Sequence, residues 1–276
     1  MSNKLMAYHD SVQLGLAHVV PRTMSDEFVP ALGLIQSGQG NRKACLGSLN
    51  SYARSKSLIA WFRDHDLQAF KEWAFVAAKL QRMARQIAPT EMISAPNLMY
   101  VLFSDHEDMI SWFSQHTGYF QNNKDAHNPK QATYFHYQAF LALRGDWDEL
   151  KNRCDRILAM QHEIKRDRRF LLDQRFYLAL AEGKIAEMES VLTEMTNPKN
   201  ARVRNFEFPF GLEERLFSGF ATLYAKLAWR HGYQLQVDSV WIPQAWLPIQ
   251  PLERYEEPWK FMREFDIFMP VECIGC

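Results

Sequence analysis

The sequence predicts an all-α protein. It reads as antiparallel helical hairpins in a compact, partly solenoid-like bundle of the tetratricopeptide (TPR-like) kind, closed by a proline- and tryptophan-rich C-terminal wrap. Three observations lead there. Apolar residues recur every three or four positions along most of the chain, the period of a helix with one buried face. Two glycine-punctuated hairpins repeat a local pattern, Leu141-Ala142-Leu143 before Gly145 and Leu178-Ala179-Leu180 before Gly183. Beyond residue 240 the period stops and Pro243, Pro248, Pro251 and Pro258 break the chain.

The elements follow in order. Leu67, Phe70, Ala74, Ala77, Leu80, Ala84 and Ile87 share one helix face, and Pro89 ends that helix. Ser104-Asp105-His106-Glu107 has the form of a capping box, with Ile110 and Phe113 on the inner face of the helix it opens. Tyr134 to Leu143 is apolar on several faces, as a buried helix requires, and Gly145 is placed to close it in the left-handed conformation. Asp146 then reads as an N-cap with Glu149 reaching back, ahead of a stripe of Trp147, Leu150, Cys154, Ile157 and Leu158.

The second hairpin runs from Phe170 to Ala181, breaks at Gly183, and continues through Ile185, Met188, Val191, Leu192 and Met195 to a stop at Asn197-Pro198. The separation of the two hairpins is close to the period of helix-turn-helix solenoids, and Ala60 to Ala84 reads as a degenerate relative. Glu213 and Glu214 suit the start of a further helix lined by Leu216, Phe217, Phe220, Leu223, Tyr224 and Leu227, which ends at Arg230-His231-Gly232. Tyr233 to Val240 has an extended character, and a short helix is expected near Trp259 to Phe265. With no low-complexity linker, residues 1–276 read as a single helical domain, residues 1–25 forming an N-terminal arm.

Composition narrows the function. Hydrophobic residues make up 47% of 276, enough for a sizeable core, so a wholly disordered chain is excluded. Lys plus Arg and Asp plus Glu are 32 each, so the broad positive field of a nucleic-acid binder or a polybasic membrane anchor is missing. Four scattered cysteines make no disulfide framework. There is neither a signal-peptide pattern nor an apolar run of membrane-spanning length. A cytoplasmic protein with no nucleic acid and no membrane among its partners is the expectation.

Motifs for catalysis are not assembled. Gly38-Gln39-Gly40 lacks the third glycine of a dinucleotide fingerprint, and Gly183-Lys184 lacks the upstream glycine of a P-loop. None of the nine histidines has a partner one helical turn away. Asp64-His65-Asp66 and Asp105-His106-Glu107-Asp108 are acid-rich, but both read as helix starts whose acids cap free N–H groups. Cys273 and Cys276 form a lone thiol pair, too few for a four-ligand zinc site. No Gly-x-Ser-x-Gly elbow is present. Arg156 and His162 stand at about the separation used by the all-α HEPN ribonucleases, which keeps a ribonuclease as a lesser alternative. Lys165-Arg166-Asp167-Arg168-Arg169 reads as a solvated connection. No catalytic residue, metal or cofactor is assigned, and the chain is expected not to be an enzyme.

The second half carries a further pattern: Phe140-Leu141-Ala142-Leu143-x-Gly145-Asp146, Phe176-Tyr177-Leu178-Ala179-Leu180, and Leu227-Ala228-Trp229-Arg230-His231-Gly232-Tyr233. A proline-punctuated ending follows, Val240-Trp241-Ile242-Pro243-x-x-Trp246-Leu247-Pro248, then Pro251-Leu252-x-x-Tyr255 and Pro258-Trp259-x-Phe261. Over residues 130–262 this resembles the immunity protein 49 family of bacterial polymorphic-toxin systems. The resemblance implies a cytoplasmic protein that binds and neutralises a cognate toxin, encoded by the adjacent gene, by direct docking and without a cofactor. It transfers no binding residues. Trp229 and Trp241 are expected to pin the tail to the last long helix. If the toxin is a nuclease with a basic face, Glu253, Glu256 and Glu257 beside Tyr255 and Trp259 are the candidate contacts. A helical adaptor for a peptide or protein is the alternative.

Overall fold

The computed structural model describes residues 3–24, 28–161, 170–205 and 215–271. It is all-α, with no strand among the described residues. His162, the basic stretch 165–169, Glu213, Glu214, Cys273 and Cys276 lie outside them. The chain forms two compact units: Met1–Glu91, Tyr100–His116 and Gln250–Cys276 make the first, Met92–Met99 and Thr117–Ile249 the second.

The first unit begins with α1 (Asn3–Met24), α2 (Phe28–Gln36), α3 (Arg42–Phe62) and α4 (Leu67–Ile87). The stretch expected as an arm is thus a helix. Val12, Leu16 and Val19, spaced four and three apart, are buried on one face of α1, which packs on α3. Helices α3 and α4 form a hairpin, of which Ala60 to Ala84 spans the end of α3, the turn and most of α4. Its turn has His65 at φ 55°, and Asp66 caps α4 by accepting from Ala69 N at 2.9 Å. Asn41 does the same for α3 through Ala44 N at 3.0 Å.

Helix α5 (Leu98–Phe103) precedes a tight turn. The box expected at Ser104 does not form. Helix α6 (Glu107–Gln115) is capped by His106, whose Nδ1 accepts from Met109 N at 3.3 Å. Ser104 Oγ instead donates to Val101 O at 2.7 Å, and Asp105 stands at φ 56° with its side chain buried. Aspartate tolerates this left-handed conformation better than most residues, and the turn aims its carboxylate inward at Lys71, 2.9 Å away.

The second unit holds α7 (Gly118–Gln121), α8 (Ala132–Arg144), α9 (Trp147–Ala159), α10 (Leu171–Ala181), α11 (Ile185–Met195), α12 (Pro198–Asn205) and α13 (Gly219–Arg230). Helices α8 to α11 pack in sequence as two hairpins, and α10 touches both α9 and α11. Gly145 closes α8 at φ 76°, as the sequence predicts. Gly183 turns the second hairpin at φ 67°, where a Cβ would stand 3.0 Å from Tyr233 Oη, so glycine is required twice over.

Asp146 occupies the N-cap of α9 without capping it. Its carboxylate accepts from Arg144 at 2.6 Å, and Glu149 accepts from Arg153 at 3.3 Å instead of reaching back. A neighbouring guanidinium outbids the backbone N–H for each carboxylate, since charge-assisted bonds are the stronger. Pro198 does not only stop α11; it opens α12, a position where its missing N–H costs nothing. Helix α13 starts at Gly219, with Leu216 and Phe217 buried ahead of it.

Residues 233–239 contain no regular secondary structure, but Leu235 and Val237 alternate inward as an extended chain allows. Lys226 and Trp246 hold the tail to α13, and Trp241 O accepts from Ser218 N at 2.8 Å at the start of that helix. Lys226 is fully buried and donates to the carbonyls of Trp246 at 2.8 Å, Leu247 at 3.3 Å and Pro248 at 3.0 Å. Trp246 is fully buried edge-on to Phe217. An ammonium with three donors suits a cluster of carbonyls; an indole supplies one. Trp229 Nε1 finds no hydrogen-bond partner among the described residues.

Candidate interaction surface

The five residues singled out, Glu253, Tyr255, Glu256, Glu257 and Trp259, lie in residues 250–271 of the first unit. Helix α4 positions this segment. Lys71, Phe75, Lys79, Arg82 and Gln86 are spaced four, four, three and four apart, so they share one helix face over about 22 Å. The segment meets them in the same order. Lys71 Nζ donates to Gln250 O at 2.6 Å. Phe75 packs on Tyr255, ring centres 5.0 Å apart. Lys79 Nζ pairs with Glu257 at 2.6 Å. Arg82 donates to Ile267 O at 2.9 Å and Met269 O at 2.6 Å, and Gln86 to Pro270 O at 2.8 Å.

These cations are buried. Lys71, Lys79 and Arg82 are 2%, 5% and 0% exposed, so each must find acceptors inside the protein. Lys71 has Asp105, itself fully buried, whose Oδ2 also accepts from Gln250 N at 3.3 Å. The Arg82 guanidinium sits 4.2 Å from the Trp112 ring centre and 5.1 Å from that of Phe265. Burial lowers its pKa to about 10, leaving it charged at neutral pH.

Tyr255 serves as a post. Its hydroxyl donates to Ser104 O at 2.6 Å and accepts from Leu252 N at 3.0 Å, and burial pushes its pKa up to about 12. The His106 ring packs against both Phe75 and Tyr255, and burial holds its pKa below the usual histidine value.

The structure therefore divides the five residues. Tyr255 and Glu257 are half-buried and committed to holding the segment. Glu253 and Glu256 are exposed, Glu256 alongside Arg254 at 3.0 Å in a surface pair of small energetic weight. Trp259 is half-buried, its ring near Tyr52 and parallel to Phe261. The exposed groups of the segment thus include these two carboxylates, Arg254, Lys260, Arg263, Glu264 and Asp266, and the side chains of Phe268 and Met269, 57% and 40% exposed.

Sequence reasoning missed the buried cations of α4, because it assigned the helix one apolar face and left the other to solvent. The available signal was Phe75-Val76-Ala77-Ala78, apolar all round, with Lys71, Lys79 and Arg82 interrupting a helix too apolar to be half-solvated.

Other candidate chemistry is not brought together. Arg156 is exposed and directed at His127 O, 3.4 Å away. Asp64 pairs with its neighbour Arg63, whose hydrogen bond is the largest cause of a pKa below the ordinary carboxylate value; burial opposes the shift and the charges of Arg63, Lys56 and His65 assist it. Among the described residues no three His, Cys, Asp or Glu side chains converge as metal ligands, and no helix is long and apolar enough to cross a membrane. The chain matches no model of a known protein family, no curated protein and no solved structure.

Proposed function

We propose that this chain is an immunity protein that binds a bacterial toxin and blocks it by direct docking. The observation that carries the reading is the residue pattern of the second half, Ala228-Trp229-x-x-Gly232 and Pro251-Leu252-x-x-Tyr255, which resembles the immunity protein 49 family. A physical reason for that pattern accompanies it. Gly232 ends α13 at φ 84°, and His231 reaches Ala142 O at 2.7 Å. Tyr255 closes its own turn through Leu252 N. Such residues preserve a scaffold and leave its surface free to diverge with each toxin.

Glu253, Glu256 and the open edge of Trp259 supply the contact in this reading, mounted by Tyr255 and Glu257. Carboxylates around an aromatic anchor complement the basic face of a nuclease and speed its capture. The test is co-expression with the product of the neighbouring gene. Co-purification and loss of toxin activity are expected, with association slowed about tenfold at low salt by Glu253→Lys plus Glu256→Lys. A toxin that stays active and unbound in the presence of this protein refutes the proposal.

One observation favours a second reading. Helix α10 packs on both α9 and α11, a contact that hairpins stacked as in helical adaptors would make. That reading predicts binding of an extended peptide and no effect on the neighbouring gene product.

A further inference from the structure

The second unit contains a cavity of about 320 Å³ between α8, α10, α13 and the 3-10 turn Ala95–Asn97. Its mouth is formed by Pro96, Ala132, Phe135 and Phe170, all at least partly exposed. Tyr177, Phe220 and Tyr224 line its buried end, together with Asp173. The aromatic rings are already ordered against one another: Phe135 stacks on Phe170 at 4.9 Å and Tyr177 tilts against Tyr224 at 4.9 Å. Pockets for small molecules run from about 300 to 1,000 Å³, so this one has room for a single ring with a short substituent and not for a nucleotide.

The polar groups of the lining differ in what they have left to offer. Gln138 and Gln174 exchange amide hydrogen bonds at 2.7 and 3.2 Å. Asp173 accepts from the Tyr224 hydroxyl. His136 differs from these. Its Nδ1 accepts from Ala95 N at 3.3 Å, so the proton of the neutral ring resides on Nε2. Among the described residues nothing accepts from that Nε2–H. Burial lowers the His136 pKa to about 4, so the ring carries no charge at neutral pH with which to hold an anion. The carboxylate of Asp173 on the same lining disfavours anions further.

We propose that this cavity binds a small, uncharged aromatic molecule whose hydrogen-bond acceptor takes the Nε2–H of His136. The rings supply offset and edge contacts to its faces, and the histidine supplies orientation. The site is independent of the docking surface proposed above, since it uses none of residues 250–271.

The proposal is tested on the full chain with three probes of one shape, benzamide, benzoate and toluene, by ligand-observed NMR and calorimetric titration. Benzamide binds, toluene binds about fivefold more weakly for want of the hydrogen bond, and benzoate more weakly still. His136→Phe, which keeps a ring of similar size, removes the advantage of benzamide over toluene. Ala132→Trp at the mouth weakens both. The unfolding midpoint of each variant verifies that it is folded, and the wild-type probe series stands without either variant. Failure of benzamide to bind overturns the proposal, as does benzoate binding as tightly as benzamide. Benzamide binding that survives both folded variants unchanged overturns it too.

Discussion

Replacing Arg82 by methionine isolates what holds residues 260–271 in place. The substitution keeps an apolar stem of similar reach beneath Trp112 and removes the guanidinium. Two hydrogen bonds to Ile267 O and Met269 O go with it, and so do the contacts with the faces of Trp112 and Phe265. Bonds from a charged donor are worth about 1.5–3 kcal/mol each, and a desolvated cation–ring contact about 1–2 kcal/mol. Against this stands the relief of no longer burying a charge. The net loss expected is about 3 kcal/mol. Because Ile267 and Met269 are at least partly exposed, their carbonyls find water once the segment lifts, and the loss falls on local opening before global unfolding.

Hydrogen exchange reads this directly at the amides of Met262, Phe265 and Met269, which are bonded to Trp259 O, Met262 O and Asp266 O. About 3 kcal/mol corresponds to an increase in exchange on the order of a hundredfold. Amides of α8 to α11 should not change. Arg82→Lys, which keeps the charge but loses the planar fork, should fall between. Exchange at these three amides that is unaltered in Arg82→Met refutes the reasoning, because it means the guanidinium does not fasten the segment.

Lys71→Met leaves Asp105 buried without its cation and should lower the unfolding free energy by about 3–5 kcal/mol; adding Asp105→Asn should cost less than the two single losses combined, as a denaturant double-mutant cycle will read. Gly183→Ala forces φ 67° on an L-residue and a Cβ against Tyr233 Oη, and should destabilise by about 2 kcal/mol. Tyr233→Phe in the same chain should recover part of the loss in the urea midpoint. Burial lowers the pKa of His136 from 6.5 to about 4, and those of His106, His116 and His231 in the same direction, burial being the largest cause each time. Between pH 6.5 and 4 the unfolded chain therefore binds more protons. The contribution of His136 is fully present above pH 6.5 and is lost as pH falls towards 4. Urea midpoints at pH 7 and 5 should differ less in His136→Phe than in the wild type, by on the order of 1–2 kcal/mol.

Helical periodicity made the hairpins legible because a 3.6-residue period and a left-handed glycine leave marks within a few residues of each other. Gly145, Gly183, Asp66 and the Tyr134 to Leu143 helix all follow from such local marks. The capping at Ser104 and Asp146 did not, because charged groups competed with the backbone: Lys71, 34 residues away, claimed Asp105, and Arg144, two residues away, claimed Asp146. A sequence shows the candidates for a carboxylate but not the winner, which is set by burial and charge. The candidate surface was legible for the same reason in part. Glu253 and Glu256 are exposed as their charge suggests. Tyr255 and Glu257 depend on Phe75, Lys79 and Ser104, between 151 and 180 residues away along the chain, and no short-range pattern announces that. Lys226 was likewise hidden inside an apolar helix, where a lysine looks like a solvent-facing break in the stripe.

The first unit is stitched from three stretches of chain that are far apart, and its last stretch supplies the acceptors for Lys71, Lys79 and Arg82. During synthesis, α4 emerges long before Gln250 does. Until then Lys79 and Arg82 lack these acceptors, whereas Lys71 already has Asp105 in the middle stretch. A message truncated ahead of residue 250 thus yields a product in which Lys79 and Arg82 stand on an apolar helix without the acceptors that residues 257–269 supply.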